Sequence, residues 1–383
     1  MTESLNRIRA FLADREPPTP CLVVDTDLVA ARTAAVAAAF PDALIRYAVK
    51  ANPAPEVLDA VLSAGAGFDV AGTGEIELCL SRGAEAAELA YGNTIKKPSD
   101  IAFAYTRGVR EFTTDSAGDL ANLAEYAPGS LVSIRLLLTG GPDSVTPFGH
   151  KFGCEPSVAA TLLRQAVDAG LRPGIAFHVG SQQPDPAAWE IGVATAAKVA
   201  ADAGVGLARL NIGGGFATGH REPVPSLADY AAVIHAALGE HLPGPGPELL
   251  LEPGRVIVAD AGLIRTEVVL VTTRAATDER RWVYLDVGRY NGMAECENEA
   301  VAYRLEPVGV KGPEGPVVLA GPTCDGDDVL YQRTPCALPM SLRAGDLLDI
   351  PGTGAYTASY SSVAFNGIEP LRTYCVGRFA DAG

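Results

Sequence analysis

From about residue 40 to residue 255, short aliphatic and β-branched runs alternate with Ala-rich amphipathic stretches. That alternation predicts repeated βα units around a parallel sheet. The candidate strands are ALIRYAVK (43–50), GFDVA (67–71), ELAYGN (88–93), EFTTDS (111–116), SLVSIRLLL (130–138), GIAFHVGS (174–181), ARLNIGGGF (208–216) and ELLLEPGR (248–255). Between them, APEVLDAVLSAG, SVAATLLRQAVDAG and PAAWEIGVATAAKVAADAG read as helices ending in the glycine expected just past a helix C-terminus. Eight strands with their crossovers match the count of a closed barrel, so the expected fold is α/β: an eight-stranded (β/α)8, TIM-like barrel over residues 26–260. Beyond residue 260 the texture changes to TEVVLVTT, RWVYLDVG, AVAYRLEPVGV, GPVVLAG, DLLDIPG and LRTYCVG. These runs, without long helices between them, predict a C-terminal antiparallel β domain over 261–383. Residues 1–25 are expected to associate with it: PCLVVD (20–25) either pairs with its strands or leads into the first barrel helix.

A chain of 383 residues, 48% hydrophobic and 20% charged, has ample material for a core and ordinary globular composition. Its formal charge of −16 disfavours nucleic acid and anionic lipid as partners and favours a small cation. No run of about eighteen apolar residues is present to span a membrane. The opening MTESLNRIRAFLADREPP lacks the apolar stretch of a secretory signal, which makes a cytoplasmic location the expectation. Seven cysteines, odd in number and never spaced C-x-x-C, argue against a disulfide framework and against a zinc cluster, so no metal is expected.

In a barrel of this kind the active site lies at the C-terminal ends of the strands. Lys50 ends the first candidate strand, Asp69 lies in the second, Asn93 ends the third and Arg135 lies in the fifth. His178 and Ser181 close the sixth, Gly213, Gly214 and Gly215 end the seventh, and Glu252 with Arg255 ends the eighth. Singly, each has a plain explanation: a strand-end lysine is commonly solvated, an aspartate can cap a helix, a glycine triplet can be a tight turn, and a lone strand histidine is commonly just packed. Together they converge on one rim. A lysine facing a barrel mouth forms a Schiff base when its amine is held neutral, and Y-A-V-K-A-N places Lys50 where strand meets loop. N-I-G-G-G-F clears side chains so that backbone N–H groups can approach a phosphate, a recurrent site after strands seven and eight. In L-E-P-G-R, Arg255 can complete the charge on that phosphate while Glu252 meets a ring nitrogen and keeps a pyridine protonated as an electron sink. His178, in F-H-V-G-S, can stack on such a ring.

YAVKAN, FDVAGTGEIE, YGNTIKK, KFGCEP, FHVGSQ, NIGGGF, EPGR, GPTCDGDD, GTGAYT and FNG together resemble the pyridoxal-phosphate-dependent decarboxylases of the alanine-racemase barrel type (fold type III), and most closely the bacterial ornithine/lysine decarboxylases. The resemblance runs over roughly residues 18–375 with the motifs in family order. It implies a carboxy-lyase with pyridoxal 5'-phosphate as cofactor, held by Lys50, with Asp69, Arg135 and His178 around the ring and Glu252 at the pyridine nitrogen. Ser181, Gly213, Gly214, Gly215, Gly254, Arg255 and Tyr356 are then the phosphate contacts. In G-P-T-C-D-G it makes Cys324 the group that returns a proton after carbon dioxide departs, and Asp325 the acceptor of the substrate's distal ammonium. Both reach the neighbouring subunit's site in that family, so the resemblance implies a head-to-tail homodimer. The implied substrate is a basic L-amino acid, ornithine giving putrescine or lysine giving cadaverine, in polyamine biosynthesis.

One departure stands out. In D-V-G-R-Y-N-G-M-A-E-C-E-N-E-A, Asn298 falls where these decarboxylases carry a second aspartate for the far amine. An asparagine accepts a hydrogen bond but brings no charge. Glu297 or Glu299 then substitutes, the natural substrate differs, or the acidic run is a solvated face. Tyr356, Asp325, Asn298 and Glu297 are thus the candidate substrate contacts. The alternatives are decarboxylation of arginine, diaminopimelate or a specialised-metabolite precursor, and a non-catalytic barrel homologue. Diaminopimelate decarboxylases typically carry Cys-Glu-Ser where this chain has Cys324-Asp325-Gly326, and Lys50, Glu252 and Cys324 together speak against a non-catalytic protein. The C-D-G motif speaks against a racemase.

Overall fold

The computed structural model describes residues 2–139, 142, 144–145 and 151–380. The chain divides into two compact units, Ala30–Ala217 with Val224–Ile257, and Met1–Val29 with Thr218–Pro223 and Val258–Gly383. Strand β1 (Cys21–Asp25) belongs to the second. In the first, β2 (Ala43–Ala48), β3 (Gly67–Val70), β4 (Leu89–Tyr91), β5 (Glu111–Thr114), β6 (Leu131–Arg135), β7 (Arg172–Ala176), β8 (Arg209–Asn211) and β9 (Glu248–Leu251) form a closed parallel barrel, β9 returning to β2.

Each expected barrel strand is present, but its ladder stops short of the end of the aliphatic run. β8 ends at Asn211, because Gly213 and Gly215 take φ values of 66° and 102° that a ladder cannot continue through. The residues singled out on the rim therefore sit mostly just past the ladders, on loops that rigid strands hold. The opposite mouth is closed by charge: Arg209, first in β8, lies 3.0 Å from a Glu111 oxygen of β5 and 2.8 Å from a Glu248 oxygen of β9. Arg46 of β2 is buried beside them, and that burial lowers its pKa against the raising effect of Glu111 and Glu88. Charge at the N-terminal face of a barrel serves stability rather than chemistry.

Outside the barrel, the helix Ala187–Ala203 carries Trp189, fully buried, stacked on Phe216 at 4.9 Å and edge-on to Tyr230 at 5.2 Å. Tyr230 lies on the helix Leu227–His241, which opens with a reciprocal capping box between Ser226 and Asp229. The Tyr230 hydroxyl donates to the Gln183 carbonyl at 2.7 Å. Trp189 thus packs the residue that follows the glycine run.

The second unit is a nine-stranded sheet of β1, β10 (Gly262–Thr272), β11 (Arg281–Leu285), β12 (Glu306–Pro307), β13 (Glu314–Ala320), β14 (Val329–Tyr331), β15 (Ala337–Pro339), β16 (Leu347–Pro351) and β17 (Arg372–Val376). Most pairings are antiparallel, as expected, but β1 runs parallel to β17 and β11 parallel to β13, so the sheet is mixed. β1 joins strands from the far end of the sequence, pairing antiparallel with β10, and then leads directly into the helix Thr26–Ala39. The two readings of PCLVVD are both realised. The helix Thr2–Arg15 packs Ile8 and Leu12 against Cys21, Val23, Leu263 and Val376. Among the described residues, no helix is long and apolar enough to cross a membrane.

Replacing Trp189 by Ala should cost about 3–5 kcal/mol, the usual loss for a large aromatic removed from a core. Chemical unfolding of the two proteins checks this, and a loss below about 1 kcal/mol would show that Trp189 does not anchor the outer layer.

Candidate active site

Lys50 lies in the single helical turn Val49–Ala51 that follows β2. Its side chain is about half exposed, and Nζ donates to Asp69 Oδ2 at 3.2 Å. Asp69 is buried in β3. A Cβ added at Gly92 would fall 2.1 Å from Asp69 Oδ1 and 3.5 Å from Glu252 Oε1, so the two carboxylates approach one point above the strand ends and need a glycine there. Glu252 Oε1 accepts from Asn211 Nδ2 at 2.6 Å, and Asn211 Oδ1 in turn accepts the Gly213 N–H at 2.9 Å. Burial, then the nearby Asp69 charge, pushes the Glu252 carboxyl well above the usual range, while Lys50, the Asn211 bond and Arg135 pull it back.

His178 stands two residues beyond β7. The Gly180 N–H donates to His178 Nδ1 at 3.0 Å. A ring nitrogen that accepts is unprotonated, so Nε2 carries the proton of the neutral ring. Burial, then the charges of Arg135 and Lys50, pushes its pKa well below 6.5, so the neutral form persists at physiological pH. Arg135 ends β6 with its guanidinium 4.9 Å from the centre of the Phe152 ring, and burial lowers its pKa.

The loops after β7, β8 and β9 meet at the glycine run. A Cβ at Gly213 would lie 2.5 Å from the Phe177 carbonyl oxygen, at Gly214 2.4 Å from that of Glu252, and at Gly215 2.3 Å from that of Gly180. The triplet is therefore demanded by close backbone approach as well as by a turn. Gly254 precedes Arg255, which is buried and donates to Ser181 Oγ at 3.4 Å. Lys50, Asp69, Glu252, His178, Ser181, the glycine run and Arg255 are thus brought to one barrel mouth.

The remaining candidates belong to the second unit. Tyr356 is half-buried in the loop after β16, with a left-handed φ of 55°. Cys324 is exposed and Asp325 half-buried in the loop between β13 and β14, and the Asp325 carboxylate accepts the Asp327 N–H at 2.8 Å. The acidic run divides three ways. Glu297 is exposed and pairs with Arg289 at 3.1 Å, and Asn298 is exposed with its carbonyl accepting from Arg333 at 3.0 Å. Glu299 instead accepts the backbone N–H groups of Gln332, Arg333 and Thr334. Burial raises the Glu299 pKa, but these bonds outweigh it and hold the carboxyl at about 2. Glu299 is a clamp on the 332–334 turn, so the solvated-face reading does not describe it.

Three residues that matter here did not stand out by themselves in the sequence: Asn211, which orients Glu252, Gly92, which admits Asp69, and Asp328, buried behind Cys324. Each lies inside a motif quoted above, which was the available signal.

The fold and the rim define an enzyme that holds a phosphate-bearing ring cofactor through a lysine. The residues fit that group: a half-exposed lysine amine, an imidazole held neutral, a carboxylate at the centre, a glycine turn flanked by Arg255 and Ser181, and a buried Asp69 Oδ1 with no partner among the described residues. Residues 26–259 match the pyridoxal binding domain of the pyridoxal-dependent decarboxylases. The chain is 34% identical to the lysine/ornithine decarboxylase of Selenomonas ruminantium, over 91% of this chain and 88% of that one. It is 33% identical to the ornithine decarboxylase of Panagrellus redivivus, over 93% and 85%. The structure superposes on the lysine/ornithine decarboxylase of Vibrio vulnificus complexed with cadaverine with a TM-score of 0.86 at 31% identity, covering 99% of this chain and 100% of that one. The chain belongs to the pyridoxal-dependent decarboxylases, and its cofactor is pyridoxal phosphate.

The clamp makes a pH-resolved prediction. A carboxyl whose pKa falls from the ordinary 4.5 to about 2 on folding stabilises the native state above 4.5 and loses that contribution as pH falls towards 2. Glu299→Gln should therefore lower the thermal midpoint at neutral pH, with the gap to the parent protein narrowing as pH drops through that window. A gap that stays constant across the window would remove the clamp's charge from the account.

Proposed function

We propose that this protein decarboxylates a basic L-amino acid, ornithine to putrescine or lysine to cadaverine, in a cytoplasmic homodimer whose active sites are shared between subunits. The observation that carries the reading is the gathering of Lys50, Asp69, Glu252 and a neutral His178 at one barrel mouth. The bound pyridoxal phosphate supplies the electron sink for the bond to the departing carboxylate. Lys50 would hold the cofactor through Nζ, and the 3.2 Å contact with Asp69 orients that amine. Glu252 takes the ring nitrogen, with Asn211 fixing its carboxylate. His178, held neutral by burial, would stack on the bound cofactor's ring, where a charged imidazolium would oppose a protonated pyridine. Asp69 and Arg135 complete the surround. Ser181, Gly213, Gly214, Gly215, Gly254, Arg255 and Tyr356 would bind the phosphate, through backbone N–H groups and the Arg255 guanidinium that already meets Ser181.

Cys324 returns a proton to the substrate carbon after carbon dioxide leaves, and Asp325 receives the distal ammonium in the partner's site. An exposed thiol next to a carboxylate oriented by the Asp327 N–H supports these assignments. Asp325 is the principal anionic contact, because Glu299 is committed to the 332–334 turn and Glu297 to Arg289. Asn298, exposed beside them, adds no charge. The relatives named above are enzymes of ornithine or lysine, and an acidic specificity loop suits a cationic side chain better than the distal carboxylate of diaminopimelate.

The test is complementation. Lys50→Ala and Cys324→Ala homodimers should each be nearly inactive. Mixing them with subunit exchange should restore up to about a quarter of the parent carbon dioxide release from ornithine or lysine, since one hybrid site receives both intact residues. Verified exchange without recovery would make each barrel self-contained, and recovery with diaminopimelate but neither diamino acid would overturn the substrate class.

A further inference from the structure

The loop that presents Cys324 and Asp325 is held by groups the chemistry above leaves unused. Asp328 is buried behind it, and its carboxylate accepts the Thr323 N–H at 3.0 Å, the Thr323 hydroxyl at 2.7 Å and the Arg289 N–H at 2.8 Å. Gly288 and Gly321 enclose that carboxylate so closely that a Cβ on either would stand 2.3 Å from Asp328 Oδ1. The Asp325 carbonyl accepts the Asp328 N–H at 3.2 Å, so the loop is closed on itself from within.

A second hold comes from outside the loop. Asn366, the middle residue of F-N-G, accepts the Cys324 backbone N–H on its Oδ1 at 3.0 Å. Its backbone sits at φ 52° and ψ 20°, a left-handed conformation that asparagine tolerates better than most side chains. The preceding Phe365 packs on Tyr290 with ring centres 4.5 Å apart, and the Ser362 N–H donates to the Tyr290 carbonyl at 2.8 Å. Tyr290 lies near Asp325, and burial, then the Asp325 charge, raises the phenol's pKa. The F-N-G turn is therefore tied to the Tyr290 segment, and it directs an amide oxygen to the backbone of Cys324.

We propose that Asn366 is a positioning residue for Cys324: its amide oxygen fixes the backbone from which the thiol projects, with Asp328 bracing the loop behind it. This rests on the reading of Cys324 as the proton donor. Proton return needs the thiol within hydrogen-bond reach of one carbon atom, and a displacement of about 1 Å lowers such a step roughly a hundredfold. An exposed cysteine on a loop has no packing of its own to supply that precision.

The test uses the holoenzyme and two variants. Asn366→Gly removes the acceptor yet accommodates the left-handed backbone, whereas Asn366→Asp keeps an oxygen in place. Two quantities are measured: the steady-state constants with ornithine or lysine, and the rate at which iodoacetamide alkylates Cys324, followed by peptide mass with the partly exposed Cys336 and Cys375 as internal references. In Asn366→Gly, kcat should fall about tenfold to a hundredfold with KM within about twofold, and Cys324 alkylation should change by more than about twofold while the reference cysteines do not move. Asn366→Asp should recover part of the lost kcat. The proposal is overturned if Asn366→Gly leaves kcat and Cys324 alkylation at parent values, if all three cysteines shift together, or if Asn366→Asp does no better than Asn366→Gly. Cys324→Ala separates the two claims. If it turns over normally, the proton-donor reading fails, and the alkylation comparison still decides whether Asn366 fixes the thiol.

Discussion

Two carboxylates and two cations share the mouth of the barrel, and the loops around that mouth are arranged so that the four can coexist. Glu252 and Asp69 approach one point over Gly92, an arrangement that like charges oppose and that burial makes worse. Lys50 on one carboxylate, Arg135 nearby and the Asn211 amide on the other offset the repulsion. Much of the local sequence follows from this. Gly92 leaves room for Asp69, Asn211 serves Glu252 and the turn at Gly213 at once, and His178 stays neutral because it is buried, with Arg135 and Lys50 adding to the effect. A buried charge set of this kind stabilises little by itself and breaks badly when one member is removed. In the proposed mechanism it is retained because a ring nitrogen completes it.

Such a set keeps its geometry only on a rigid frame. The ladders supply the frame by stopping early: each strand delivers its chain to the rim and then releases it into a loop or helical turn. The loops are fixed in turn by backbone contacts too close for a side chain, at Gly213, Gly214 and Gly215, and by the Trp189, Phe216 and Tyr230 cluster behind them. The far mouth, with Arg209 between Glu111 and Glu248, closes the barrel from below. In the second unit the same strategy recurs around a carboxylate, Asp328, enclosed by Gly288 and Gly321.

The barrel was legible because buried parallel strands are predominantly apolar, and eight such runs separated by helical stretches match the count of a closed barrel. The rim residues were legible because strand ends are where a barrel does chemistry. Strand lengths were not, since L-N-I-G-G-G-F is apolar well past Asn211 and only the left-handed glycines end the ladder. The mixed sheet was hidden for a different reason: whether β17 runs parallel to β1 depends on a pairing between residues about 350 apart, which no local pattern reports. The separate roles within the acidic run could not be read from composition. E-C-E-N-E reads as a candidate pocket or a wet face, whereas Glu299 spans a turn more than thirty residues on. Asp328 was indistinguishable in sequence from Asp327, and burial alone tells them apart.

The central claim is that the cofactor is joined to this rim through Lys50, and the position of the covalent bond tests it most directly. The purified protein would be reduced with borohydride, digested, and the peptide carrying a phosphopyridoxyl group identified by mass. The account predicts that the label lies on Lys50, in the peptide that includes Y-A-V-K-A-N. A label on Lys96, Lys151 or any other lysine, or a protein that retains the chromophore yet yields no labelled lysine, would contradict it.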